Sequence, residues 1–156
     1  MQEKTYEIND ATLAILPESL NKSRIMEEDF EYEVNQNPLS LINYSCKYFG
    51  STYEGRRDGA REILLSKYKL PIMIEDSQNL VFLPTESPEN NDCIWLALNK
   101  IKKIDKVEAS EPKTSIEFLN GQKLIVNISY KSLQNQILRA SRLDSILRNR
   151  KNQEKL

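Results

Sequence analysis

Ser115-Ile116-Glu117-Phe118-Leu119-Asn120-Gly121-Gln122-Lys123-Leu124-Ile125-Val126-Asn127-Ile128 reads as a β-hairpin. Asn-Gly best tolerates the positive φ angles of a tight two-residue turn, and apolar residues flank it on both sides. A helix follows at once. Ser132 is placed to cap it, and Leu133, Ile137, Ala140, Leu143 and Leu147 recur at three- and four-residue spacing as one apolar stripe. Arg139, Arg142 and Arg150 fall on the other side, with Leu138 and Ile146 among them. A purely solvated face does not call for those two apolar side chains, so that side is a candidate partner or DNA surface.

Towards the amino terminus the pattern stays antiparallel. Residues 95–104 are strand-like, 84–92 form a Pro/Ser/Asn/Glu loop, and the apolar runs 72–74 and 80–83 flank a polar turn as a second hairpin. Residues 57–68 read as a short helix weakened by Gly59. Pro38 at a first turn and Gly50 at an end favour a helix between them. Phe30, Tyr32 and Val34 alternate within a half-buried strand over 24–34, and residues 4–16 suggest a hairpin turning at Asn9-Asp10. Strands and helices show no regular βαβ alternation, which disfavours a parallel sheet. The expected class is α+β: mainly antiparallel β-sheet with a few helices and a carboxy-terminal amphipathic helix. One domain is expected over residues 1–147, with 148–156 as a frayed tail.

The 156 residues include 22 Lys and Arg against 23 Asp and Glu, two cysteines and no histidine. This length supports a core without disulfides or metal. Without imidazole, every scheme that uses it as acid, base or metal ligand is excluded. Cys46 and Cys93 lack a histidine partner and read as small packed side chains. The amino terminus has no signal-peptide apolar stretch, and the longest aliphatic and aromatic run, 94–98, is too short to span a membrane. A cytoplasmic protein with reduced thiols, no metal and no cofactor is expected.

Net charge is −1, but it is distributed in blocks. Residues 1–40 carry −6, 41–70 carry +3, 71–99 carry −5 and 100–156 carry +7. If the basic segments share a face, they form a patch able to attract a polyanion. The plainer reading is mutual neutralisation of acidic and basic segments across the surface.

Within the first basic block, the run from Gly50 to Arg57 has the spacing of a phosphate-binding P-loop. It fails chemically, because Arg56 and Arg57 stand where that motif needs Lys and then Ser or Thr for magnesium. What survives is a glycine-bent loop with Ser51, Thr52, Tyr53 and two arginines, donors suited to phosphate oxygens or a groove. The alternative is a tight turn with solvated arginines. The acidic clusters at 27–29 and 75–76 are too close along the chain for opposed catalytic carboxylates, and no segment supports an enzyme.

The same stretch, Ser45-Cys46-Lys47-Tyr48-Phe49-Gly50-Ser51-Thr52-Tyr53-Glu54-Gly55-Arg56-Arg57-Asp58-Gly59, resembles the signature of the competence transcription factor family, ComK. The agreement continues in order through Pro71-Ile72-Met73-Ile74, Val81-Phe82-Leu83-Pro84-Thr85, Cys93 before Trp95, Asn120-Gly121, Ile128-Ser129-Tyr130-Lys131-Ser132, and Asn135, Gln136 and Arg139. It runs from the first strand to about residue 143. The resemblance implies a bacterial activator of genes for DNA uptake, binding paired A/T-rich promoter boxes largely through the minor groove as a dimer or higher multimer. Its implied setting is cytoplasmic and nucleoid-associated, with RNA polymerase as a further partner. Narrow A-tract minor grooves are strongly negative and attract inserted arginines. Arg56 and Arg57 are therefore the expected groove readers, with Lys47, Ser51, Thr52 and Tyr53 on nearby phosphates or sugars, and Arg139 and Arg142 as phosphate or interface residues. Leu138 and Ile146 are interface candidates. No zinc finger and no clear helix-turn-helix is legible. Better-known members continue several tens of residues past the amphipathic helix, whereas this short sequence stops at Leu156, so functions assigned to such a tail are not expected from the resemblance alone. The competing reading is a regulator that acts by protein contact without DNA, or modulates a full-length relative.

Overall fold

The apolar runs at 72–74, 80–83 and 95–97 occupy one half of a seven-stranded sheet in the structure, a computed structural model that describes residues 2–3 and 5–154. The strand order is β1 (Gln2–Glu3), β4 (Glu31–Val34), β3 (Lys22–Glu27), β2 (Thr12–Ser19), β7 (Trp95–Ala97), β6 (Leu80–Pro84), β5 (Ile72–Glu75). All its pairings are antiparallel except that of β1 with β4. A second, three-stranded antiparallel sheet runs β10 (Lys123–Val126), β9 (Thr114–Phe118), β8 (Ile101–Lys106). The helices are α1 (Pro38–Tyr48), α2 (Tyr53–Leu64) and α3 (Tyr130–Glu154). The protein is α+β, as expected.

Period-two alternation sorts the central strands into two cores. Ile72, Ile74, Phe82, Trp95 and Ala97 pack with Leu41, Ile42 and Cys46 of α1. Met73, Val81, Leu83 and Leu96 pack instead with Ile116 and Phe118 of β9, Val126 of β10, and Leu133 and Ala140 of α3. The large sheet thus lies between α1 and the small sheet with α3. Fully burying each such aliphatic or aromatic side chain contributes about 1.5–3 kcal/mol. Helix α2 packs on β5 at the sheet edge and touches both α1 and α3, meeting α3 where Ala60 and Leu70 pack with Leu143.

Two of the three expected hairpins form, the Asn120-Gly121 one through residues 119–121 rather than a two-residue turn. Gly121 has φ +92°, and the Phe118 N–H donates to the Gln122 carbonyl at 2.8 Å. Elsewhere the structure corrects the sequence reading. Residues 5–11 are not a hairpin arm: the first hairpin joins β2 to β3 through Leu20-Asn21, and Lys4 lies outside the described residues. Asn9 closes its own local turn, its Oδ1 accepting from the Ala11 N–H at 2.8 Å. Phe30 sits before β4 and is exposed. The expected strand 95–104 is broken by the 3₁₀ turn Leu98–Lys100, which sends its halves to different sheets. Lys100 anchors that break through Glu28 at 2.7 Å. Helix α3 begins at Tyr130, and Ser129 caps it by accepting the Ser132 N–H at 3.1 Å. It continues to Glu154 and so takes in residues 148–154 of the expected tail, while 155–156 lie outside the described residues.

Candidate nucleic-acid interface

Helix α1 stops where Gly50 adopts φ +86°, a left-handed conformation that costs glycine little. Its N–H donates to the Lys47 carbonyl at 3.0 Å, and the Ser51 N–H to the Cys46 carbonyl at 2.9 Å. The chain restarts at once. Thr52 caps α2, its Oγ1 accepting the Gly55 N–H at 3.0 Å, and Asn43 of α1 accepts the Tyr53 N–H at 3.0 Å. The glycine-bent loop expected to carry the arginines is therefore limited to residues 49–52. Gly55 and Gly59 are helical, and Arg56 and Arg57 stand on the first turns of α2. The cap and the Asn43 bond offset the low helix propensity of two glycines. The result is helix, four-residue turn, helix; the sequence pattern shows both helices but starts the second at residue 57 rather than Tyr53.

The two arginines diverge. Arg57 faces α1, in an open recess of about 550 Å³ shared with Lys47, Thr52, Tyr53, Asn43 and Glu54. Its guanidinium lies 5.7 Å from the centroid of the Tyr53 ring and 3.3 Å from Asp58. The Tyr53 ring in turn meets the buried Trp95 edge-on at 6.4 Å, so this floor is seated on the core. Burial raises the Tyr53 hydroxyl pKa, and the nearby Glu89 carboxylate adds to it. Lys47 is exposed and forms no ion pair among the described residues. Four of the expected site residues thus converge. Ser51 is half-buried in the turn beside them and does not line the recess.

Arg56 turns the other way, into a cleft of about 210 Å³ with Arg148, Arg150 and Lys151 of α3 and Asp76 and Asn79 of the β5–β6 turn. Its Nε is buried without a hydrogen-bond partner among the described residues. Arg148 is paired with Asp144 at 2.9 Å. Expecting a frayed tail leaves out Arg148 and Lys151, while Arg150 already falls on the polar side of the helix in the sequence. The signal that could have found them is the run Arg148-Asn149-Arg150-Lys151, which continues a helical period.

Other expected residues lie elsewhere. Arg139 is not a free cation: it donates to Gln136 at 2.6 Å, to Ser66 at 2.8 Å and to the Tyr68 carbonyl at 2.7 Å. Desolvation lowers its pKa. Gln136, buried beside it, donates to the carbonyls of Lys69 and Pro84 at 2.9 and 2.8 Å. The pair fastens the segment between α2 and β5 onto α3. Arg142 is exposed and lines neither recess, Ile146 is half-buried, and Leu138 stands 61 % exposed beside β8. Cys46 and Cys93 are buried in the core, and burial pushes both thiols up to about 11, the Arg56 charge opposing it at Cys46. Neither is an activated nucleophile. Among the described residues no cluster of three potential metal ligands occurs, and no helix is long and apolar enough to cross a membrane.

Residues 3–152 match the family model described as ComK protein. Over 141 residues the chain is 36% identical to the competence transcription factor of Bacillus subtilis (strain 168), covering 88% of this chain and 72% of that protein. No solved structure gives a significant match. That relative is a transcription factor, which is not an enzyme class. The chain belongs to the ComK family, that of a competence transcription factor.

Proposed function

We propose that this competence transcription regulator activates genes for DNA uptake by binding A/T-rich promoter boxes, largely through the minor groove and as a multimer. The DNA-binding domain is the unit spanning residues 1–147, extended by the basic end of α3. The observation that carries the reading is the convergence on α2 of two basic recesses, Lys47 with Arg57 on one flank and Arg56 with Arg148, Arg150 and Lys151 on the other. Arginines at a helix start reach into a narrow, negative minor groove while the helix stays outside it. Thr52 and Tyr53 hold donors beside them for phosphate or sugar oxygens. Arg139 serves by positioning α2 rather than by touching DNA. RNA polymerase is a further partner of an activator bound at a promoter.

The double variant Arg56→Ala with Arg57→Ala tests this directly. It is expected to fold, because both side chains are only half-buried and belong to no hydrophobic core cluster, and to lose selective binding to an A/T-box duplex. Retained A/T preference overturns the assignment. A second reading is favoured by the short turn between α1 and α2: α2 itself enters the major groove as a recognition helix. In that case a drug occupying the minor groove leaves binding intact.

A further inference from the structure

Strand β8 pairs with β9 on one side and is an open edge of the small sheet on the other. An open edge presents alternate N–H and C=O groups ready to accept another strand. A register shift between Ile101 and Lys103 puts Ile101 opposite Phe118 and Ile104 opposite Ile116. Since Phe118 and Ile116 are buried under α3, both isoleucines fall on the helix side of the sheet. Tyr130, Ile137 and Leu138 of α3 line the other wall, and strand and helix enclose an open groove of about 450 Å³. Among the described residues the only charged residues along it are Lys102 and Lys103, and their partners Glu117 and Asp105 place the lysine heads on the sheet face away from α3. Their ion pairs, with Glu117 at 3.4 Å and Asp105 at 3.7 Å, leave both lysines more than half exposed, so the pairs exchange readily with an incoming carboxylate.

We propose that this edge accepts an extended acidic segment of another protein as a fourth strand of the small sheet. Its backbone bonds to β8, its alternate apolar side chains fill the groove against Leu138, and its carboxylates meet Lys102 and Lys103. A second copy suits the edge less well, because β8 paired with β8 apposes lysine-bearing strands. DNA meets the lysines but leaves the apolar floor unfilled. The groove shares no lining residue with the recesses beside α2, so a partner here does not compete for the residues proposed to hold DNA.

The probe is a fluorescent ten-residue peptide alternating Glu with Val or Leu, titrated against the full chain, with amide shifts followed along residues 101–106. Saturable binding is expected, with shifts on β8. A peptide N-methylated at alternate residues should bind at least tenfold more weakly, since its side chains remain but its ladder bonds do not. Leu138→Asp, an exposed change compatible with folding, should weaken the parent peptide at least tenfold without altering binding to an A/T duplex. Absence of peptide binding, or equal binding of the N-methylated peptide, overturns the proposal. So does displacement of the peptide by duplex DNA. A protein that sediments as a dimer until Leu138→Asp makes it monomeric also overturns it, assigning the edge to a second copy.

Discussion

Arg56 and Arg57 are adjacent in sequence yet open onto different recesses, because successive helical residues are about 100° apart. Each is expected to contribute separately to DNA binding. If Arg57 or Lys47 neutralises a phosphate, its replacement by alanine lowers the magnitude of the salt slope of binding by about 0.9 for that phosphate. The same slope change is expected for Arg150→Ala, although Arg150 is far in sequence from the glycine-bent turn. Gln136 and Arg139 are different in kind. Gln136→Leu strips two carbonyls of their donor and takes away one of the three acceptors of Arg139, so it should destabilise the fold by about 1–3 kcal/mol. Denaturant unfolding measures that loss, and binding by the fraction that remains folded should change little. Position along the helix makes Arg139 look solvent-facing. Only the loop it grips, far away in sequence, shows otherwise.

At the scale of elements, the helix that presents the proposed site depends on one hydroxyl. Thr52→Ala removes the α2 cap and should cost about 1 kcal/mol, whereas Thr52→Ser should cost much less. Unfolding curves of the two variants decide this. Gly50→Ala introduces a Cβ at φ +86° and is expected to destabilise the turn by about 1 kcal/mol although space around it is free. The hairpins at 72–83 and 114–126 and the stripe of α3 were legible because their signals are local: alternation, an Asn-Gly turn and 3.6-residue spacing. Helix α1 was legible from Pro38 and Gly50. The start of α2 was not, since Gly55 and Gly59 suggest a loop and the Asn43 bond that offsets them comes from another helix. The break at 98–100 was hidden for a similar reason, because Lys100 is fixed by Glu28, distant in sequence.

For the whole molecule, the family was legible in the order of its matched segments, and the basic residues of two sequence blocks do meet at α2 and the end of α3. A net charge of −1 therefore coexists with a local basic surface. Stability should carry a thiol signature. Both cysteines titrate normally near 9 when unfolded but are pushed up to about 11 by burial, so the unfolded chain releases these protons first. Their contribution is complete below about pH 9 and is lost as pH rises towards 11. Thermal unfolding across that window should show a falling midpoint, and serine at both positions should make the fall shallower, the raised Tyr6 and Tyr53 hydroxyls supplying part of the rest. The central claim, selective recognition of A/T-rich DNA by the basic surface around α2, is tested most directly by binding to an A/T-box duplex across a salt series, with and without a minor-groove-blocking drug. The prediction is affinity that falls steeply with salt and is abolished when the drug fills the groove. Binding that ignores salt, or no binding even at low salt, contradicts it and favours a regulator that works through protein contacts alone.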